Sequence, residues 1–211
     1  MELLLKQQQG KLADYNLKDT AFVIGNGTSR STIPLIDLID KGTTYGCNAL
    51  YREFSPDYLI AVDVKMIVEI NKSKYQNNNS VWTNPNKAYS KFTGFNFFNP
   101  SKGWSSGPTA LFLASEHSYK NIYILGFDFV GINNLVNNMY ADTPNYKKSS
   151  DKATYYNNWL KQTYAVISKN PNTKYFRVVD EEIPFTPKEL QKLGNLSHIT
   201  VEKFKEIYNI E

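Results

Sequence analysis

The residues best suited to chemistry form a glycine turn, Gly25-Asn26-Gly27-Thr28-Ser29, between an apolar run and a helical pattern. Glycines there let the backbone turn tightly and approach a ligand, because no Cβ stands in the way. A helix that begins after the turn would offer unpaired N–H groups and its positive dipole end to a phosphate. Thr28 and Ser29 could cap that helix or donate to phosphate oxygens, and Arg30 or Lys41 could add charge. The turn therefore predicts a phosphate site.

The turn departs from the standard phosphate-binding signatures. Arg30 stands where G-x-G-x-x-G has its third glycine, and no Gly-Lys-Ser/Thr follows as in a Walker A motif. An ordinary β–α turn with capping residues is the alternative interpretation.

Further candidates follow other predicted elements. Ser106 and Gly107 open a helix, although a serine and a proline at that place are also ordinary helix-start residues. Asp63 ends one strand and Asp128 follows another. Carboxylates at strand ends bind ribose hydroxyls, hold Mg²⁺ or act as acids and bases, and they also cap helices. Cys47 is interpreted as a small core residue.

Alternating short apolar runs and helical patterns predict an α/β, Rossmann-like single domain with a mostly parallel sheet and helices on both faces. Ligands in such folds bind at the carboxyl ends of the strands. The predicted strands are 21–24, 44–47, 58–62, 80–83, 121–125 and 175–179, and the predicted helices are 33–39, 66–70, 110–116, 152–168, 187–193 and 201–208. We divide the chain into an N-terminal extension (1–19), a nucleotide-binding domain (20–180) with a lid loop (130–150), and a C-terminal helical segment (181–211).

Composition narrows the classes of partner. The net charge of +4 is spread along the 211 residues without a basic stripe, which argues against nucleic-acid binding. The one cysteine cannot form an internal disulfide, and no Cys/His metal spacing occurs. No apolar run approaches a transmembrane length, and the apolar start of the chain is too short for a signal peptide. We therefore expect a cytoplasmic protein, and the sequence leaves homo-oligomerisation open.

The order of the short motifs resembles that of the family 42 bacterial sialyltransferases. That family carries a G-N-G-P-S turn, a C-N-x-x-Y segment, an S-G helix start and a G-I-D-F strand end. The resemblance covers about residues 20 to 130, and the matching blocks are Ile24–Ser29, Gly46–Tyr51, Ser106-Gly107 and Ile122–Phe129. A second pattern, Pro56-Asp57-Tyr58 with Asp63, is similar to the MptE-like 6-hydroxymethylpterin pyrophosphokinases.

The first resemblance implies a glycosyltransferase that uses a CMP-sugar or another nucleotide sugar as donor and requires no cofactor. The residues that it places around the nucleotide are Asn26, Gly27, Ser29, Asn48, Ser106 and Gly107. The family's lid holds a catalytic histidine and two tyrosines, but the 130–150 loop contains no histidine, and Val130 stands where one tyrosine is expected. Tyr140 is the candidate for the other tyrosine.

Three hypotheses follow. In the leading one, helix N-termini and Tyr140 or Lys147 stabilise the leaving phosphate, and Asp128 or Asp142 accepts the acceptor's proton. The second resemblance implies pyrophosphoryl transfer from ATP, with Asp63 and Asp128 as Mg²⁺ ligands. The third is a catalytically silent nucleotide-binding protein.

Overall fold

In a computed structural model, which describes residues 19–181 and 185–211, the chain folds around one sheet of eight parallel strands. The strands are β1 (Thr20–Ile24), β2 (Thr43–Cys47), β3 (Tyr58–Ile60), β4 (Val81–Thr83), β5 (Phe95–Phe97), β6 (Asn121–Leu125), β7 (Lys174–Val179) and β8 (Leu196–Thr200). The predicted α/β, Rossmann-like single domain is thus confirmed. All but Asp19 of the predicted N-terminal extension lies outside the described residues.

The strand order is β5-β4-β3-β2-β1-β6-β7-β8, so the chain changes direction across the sheet beside β1. After β1 the strands proceed outward to β5, and β6 then returns to pair with β1 in parallel, with Ile24 opposite Leu125. Such a reversal opens a crevice at the carboxyl ends of the two central strands. The glycine turn follows β1 and Gly126 follows β6, so both lie at that crevice.

In the part of the chain that the structure describes, four α-helices cover the two faces of the sheet: α1 (Val64–Ser73), α2 (Ser106–Glu116), α3 (Asn157–Lys169) and α4 (Val201–Tyr208). Alternate side chains of β1 enter two separate cores. Phe22 and Ile24 pack with residues of α1 and α4, whereas Ala21 and Val23 pack with residues of α2 and α3. This arrangement explains why β1 reads as an unbroken apolar run.

The helix predicted at 33–39 does not form. Two 3₁₀ turns, Thr28–Arg30 and Leu35–Leu38, replace it. Pro34 has no N–H to give to a helix, and the apolar residues of the segment do not share one face, since Ile36 and Ile39 remain exposed. The long helix dipole expected after the glycine turn is therefore absent, and α2 supplies the helix N-terminus at this edge of the sheet.

Two strands were missed by the sequence analysis. β5 is three residues long, and β8 lies in the segment predicted to be only helical, where 187–193 yields a single 3₁₀ turn at Leu190–Lys192. The helix predicted at 201–208 is present as α4, which begins where the Thr200 hydroxyl accepts from the Lys203 N–H at 3.1 Å. Within the described ranges, no helix has both the length and the apolar character needed to cross a bilayer.

Candidate functional site

A cleft of about 350 Å³ opens at the carboxyl edge of the sheet, above β1, β2, β3 and β6. Nine candidate site residues from the sequence line it: Gly25, Asn26, Gly27, Asn48, Asp63, Ser106, Gly107, Asp128 and Lys147. Four others, Thr28, Ser29, Tyr140 and Asp142, do not line the cleft. The residues that do line it come from widely separated stretches of the chain, which the fold brings to one place.

The glycines of the turn are needed for contact between two loops of the protein. A Cβ on Gly25 would lie 2.6 Å from the Gly126 carbonyl oxygen, and one on Gly27 would lie 2.7 Å from the same atom and collide with the Asp128 carboxylate. Gly126 itself has a φ of +65°, which favours glycine. The close approach that the sequence suggested thus occurs against the end of β6.

Asp128 holds these loops together through its carboxylate. Oδ2 accepts from the Ser29 N–H at 3.1 Å and from Asn137 Nδ2 at 2.9 Å, and Oδ1 accepts from the Ser29 hydroxyl. Behind it the buried Arg177 donates to the carbonyl oxygens of Phe127 and Asp128. Desolvation lowers the pKa of Arg177 to about 10, opposed by the charge of Asp128. Asp128 and Ser29 are therefore occupied by structural hydrogen bonds.

The 130–150 loop is fastened to the glycine turn. Asn137 Oδ1 accepts from the Thr28 N–H at 2.9 Å and from the Thr28 hydroxyl at 2.7 Å. The Met139 N–H donates to the Asn26 carbonyl at 2.8 Å. The donors of Thr28 expected to face a phosphate thus hold the lid.

A second set of contacts ties the lid to α1. Arg52 forms an ion pair with Glu69 at 2.7 Å and donates to the Thr143 hydroxyl at 2.8 Å. Asn145 Nδ2 donates to the same Glu69 oxygen, Oε2, at 2.6 Å. The lid is therefore closed over the cleft through side chains that the sequence analysis did not single out.

Arg30 and Tyr140 belong to a buried network beneath the turn. Arg30 donates through Nε to the Gly25 carbonyl at 2.7 Å and through Nη2 to Glu53 at 2.9 Å and to the Tyr140 hydroxyl at 3.1 Å. The Tyr140 hydroxyl in turn donates to Glu53. Burial, reinforced by Glu53, raises the pKa of Tyr140. Both side chains face the protein interior and shape the turn from below.

Tyr146 and Lys147 occupy the place in the cleft for which Tyr140 was a candidate. The Tyr146 oxygen accepts from Asn26 Nδ2 at 3.2 Å and from the Ala49 N–H at 3.3 Å, so its own proton remains for another acceptor. Burial raises the pKa of Tyr146, which keeps that proton on the ring oxygen. Lys147 also lines the cleft. Asp142 instead is exposed and accepts from the Ser149 N–H at 3.1 Å.

The opposite end of the cleft is polar and contains Asp63. Asn48, at a φ of +52°, accepts from the Ser106 hydroxyl at 2.7 Å, and Ser106 accepts from the Val62 N–H at 3.1 Å. These bonds position β2, β3 and the start of α2 around the cleft. The Asp63 carboxylate is open to the water of the cleft, yet desolvation by its surroundings raises its pKa.

Aromatic side chains form the remaining wall. Phe127 and Phe129 follow β6, and Tyr156 and Trp159 come from the start of α3, with the last two rings at 5.3 Å in an edge-to-face contact. From the sequence, the helical spacing of Tyr156 and Trp159 indicates core packing, and no local signal places them at a ligand site. Cys47 also lines the cleft, but burial raises the pKa of its thiol to about 12.

The described residues offer few metal ligands. In 19–181 and 185–211, no group of three or more His, Cys, Asp or Glu side chains is arranged to hold an ion. Of the two carboxylates in the cleft, Asp128 is occupied by three donors and Asp63 is available. Comparison with protein-family models, with curated proteins and with solved structures gives no match for this chain.

Proposed function

We propose that this protein is a glycosyltransferase that binds a nucleotide-linked sugar in the cleft. One observation carries the proposal: the glycine turn after β1, the Gly126–Phe129 segment after β6 and the start of α2 line one cleft at the point where the strand order reverses. Open parallel sheets bind nucleotides in this crevice. The cleft volume of about 350 Å³ falls within the range of small-molecule sites.

The two walls of the cleft suit the two halves of such a ligand. The aromatic wall of Phe127, Phe129, Tyr156 and Trp159 can stack on a base. The polar end, with Asn48, Asp63 and Ser106, matches the hydroxyls of a sugar, because hydroxyls both donate and accept hydrogen bonds.

The phosphate between base and sugar has two sources of stabilisation. The Ser105 side chain makes no capping hydrogen bond to α2, an 11-residue helix, so the first N–H groups of the helix and its dipole are available at Ser106 and Gly107. Lys147 adds a positive charge, and the Tyr146 hydroxyl can donate a hydrogen bond. Groups of this kind stabilise a phosphate that leaves as the sugar is transferred. In this proposal Tyr146 takes the role first considered for Tyr140.

In this proposal Asp63, rather than Asp128 or Asp142, is the carboxylate that meets the sugar. Asp128 already accepts three hydrogen bonds, and Asp142 is outside the cleft. Asp63 lines the cleft and can accept a hydrogen bond or a proton from a sugar hydroxyl.

Thermal-shift measurements with CMP, CDP, UDP, GDP and ATP, each with and without Mg²⁺, test the proposal. A ligand at a hundred times its dissociation constant adds about 2.7 kcal/mol, or roughly 5–10 °C in a protein of this size. We expect a shift of this kind with at least one nucleotide in the absence of Mg²⁺. No response to any nucleotide would contradict nucleotide binding altogether.

A pair of neighbouring lysines provides the matched control. Lys147 lines the cleft and Lys148 does not. Lys147→Gln should lower the apparent affinity for the nucleotide about tenfold, as measured by the thermal shift. Lys148→Gln should leave that affinity unchanged. Equal effects of both substitutions would remove Lys147 from the site.

Pyrophosphoryl transfer from ATP is the second candidate, and the available Asp63 carboxylate favours it. Asp63 could serve as one Mg²⁺ ligand, with the phosphates and water supplying the others. Stabilisation by ATP only when Mg²⁺ is present would support this function against the glycosyltransferase.

A further inference from the structure

Asp63 places a carboxylate in the cleft, and within 19–181 and 185–211 that carboxylate has no hydrogen-bond or ion-pair partner. It occupies the cap position of α1, where an aspartate side chain usually accepts from an N–H of the first turn. Its backbone carbonyl accepts from Ile67 at 3.0 Å, but its side chain makes no capping bond. Among the described residues no lysine, arginine or histidine lies within 4.0 Å of the carboxylate. An acceptor is thus left open for whatever binds there.

Asn48, which lines the same cleft, adds an amide suited to hydroxyl groups. The Asn48 oxygen is taken by the Ser106 hydroxyl, so the Asn48 amide nitrogen is the part of that side chain left to donate. A ligand hydroxyl can accept from an amide and donate to a carboxylate at the same time. A carboxylate on the ligand could accept from Asn48 but would meet the negative charge of Asp63.

The charges around the cleft also favour a neutral or cationic sugar over an acidic one. Only one of the residues that line it in the described chain is a lysine or arginine, namely Lys147. In the proposed complex the Lys147 charge and the start of α2 both bind the phosphate of the ligand. A second acidic group on the sugar would then lie near Asp63 without a compensating cation, and like charges at short range repel each other.

From these observations we infer that Asp63 determines donor specificity: the transferred sugar presents hydroxyl or ammonium groups at Asp63 and is not an acidic sugar. The inference rests on the proposed nucleotide-sugar site and names the class of its sugar. It also separates this chain from the acidic-sugar donor that the resemblance to sialyltransferases implies.

Calorimetric titration with matched ligands tests the inference. UDP-glucose and UDP-glucuronic acid differ only at C6, where one has a hydroxymethyl and the other a carboxylate. We expect the unmodified protein to bind the neutral ligand at least about tenfold more tightly. In Asp63→Asn, which keeps the shape and removes the charge, the difference should fall below about threefold because the acidic ligand gains affinity.

Two further measurements test whether the charge of Asp63 itself excludes the acidic sugar. If cytidine is the preferred base, CMP-sialic acid should bind the unmodified protein no more tightly than CMP, and should bind Asp63→Asn more tightly than CMP. Asp40→Asn, an exposed aspartate at the opposite edge of the sheet, should behave as the unmodified protein.

The possible failures are distinguishable. Tight binding of the acidic sugar nucleotide to the unmodified protein, or an Asp63→Asn variant that still rejects it, overturns the inference and leaves nucleotide-sugar binding intact. Absence of binding by every nucleotide and nucleotide sugar overturns both.

Discussion

Asp128 provides a sharp test of how the site is built, because two substitutions differ in what they leave unpaired. In Asp128→Ala the Ser29 N–H, the Ser29 hydroxyl and the Asn137 amide lose their acceptor in a site where Asp128 is 6% exposed. In Asp128→Asn an amide oxygen at the Oδ2 position still accepts from Ser29 and Asn137. Its nitrogen, at the Oδ1 position, can donate to the Ser29 hydroxyl, which rotates to accept.

The expected magnitudes follow from these counts. Each buried donor left without an acceptor costs about 1–3 kcal/mol, so three of them cost about 3 kcal/mol at the lower end of that range. The asparagine variant loses only the charge assistance of its bonds, about 1 kcal/mol. For a chain of this length the melting temperature should fall by roughly 6–12 °C for alanine and by roughly 2–4 °C for asparagine.

Urea unfolding followed by tryptophan fluorescence measures both variants against the unmodified protein. Equal destabilisation by the two substitutions would show that the charge of Asp128, and not its hydrogen bonds, holds the loops. A loss below about 1 kcal/mol for Asp128→Ala would refute the structural role altogether. Nucleotide affinity measured on Asp128→Asn is expected to persist, since the amide preserves the turn.

Three other predictions concern the same region. Gly126→Ala should lower the free energy of unfolding in urea by at least about 2 kcal/mol, because a Cβ would lie 2.9 Å from the Gly25 carbonyl oxygen at a φ of +65°. The control Gly103→Ala has a similar φ of +62° but lies in open space, so it should lower the free energy of unfolding by only about 1 kcal/mol. Equal losses would contradict the contact between Gly126 and Gly25. Desolvation opposes ionisation of Glu53, but hydrogen bonds from Tyr140 and Arg30 lower its pKa overall. The ionised Glu53 carboxylate should therefore stabilise the fold at pH 7, and this stabilisation should decline as the pH falls below about 5. The urea midpoints of the unmodified protein and Glu53→Gln should accordingly converge as the pH falls from about 5 to about 3. A difference between the two midpoints that does not change with pH would count against the ion pair. Because the Cys47 pKa is raised to about 12, iodoacetamide should alkylate native Cys47 at pH 8 about a thousandfold more slowly than in urea, and comparable rates would show an accessible thiolate.

The strands could be predicted where a single local signal decides the structure. β6 was predicted over its observed residues, since an apolar run bounded by polar residues leaves few alternatives. β5 and β8 were missed because neither is a continuous apolar run, and each forms only against a neighbouring strand. The strand propensity of a segment does not indicate which neighbouring strand it will pair with.

The site was predictable in part for a similar reason. Residues directly after strands, such as Gly25, Asp63 and Asp128, reach the cleft because the parallel sheet places all strand ends at one edge. The orientation of lid side chains depends on contacts across about a hundred residues, such as Asn137 with Thr28. The 130–150 segment has no hydrophobic periodicity that indicates these contacts, so Tyr146 could not be distinguished from Tyr140 as the tyrosine that faces the cleft.

The position of β1 in the sheet has a consequence for biosynthesis. β1 pairs with β2 on one side and with β6 on the other, and β6 begins at Asn121. Until the ribosome has released that segment, the nascent chain carries its most apolar strand with one edge unpaired, and such an edge recruits strands from other chains. A fragment that ends after β5 should therefore self-associate on gel filtration, whereas one that extends through α4 should not, since β6 then occupies that edge and α4 covers the apolar face of the sheet.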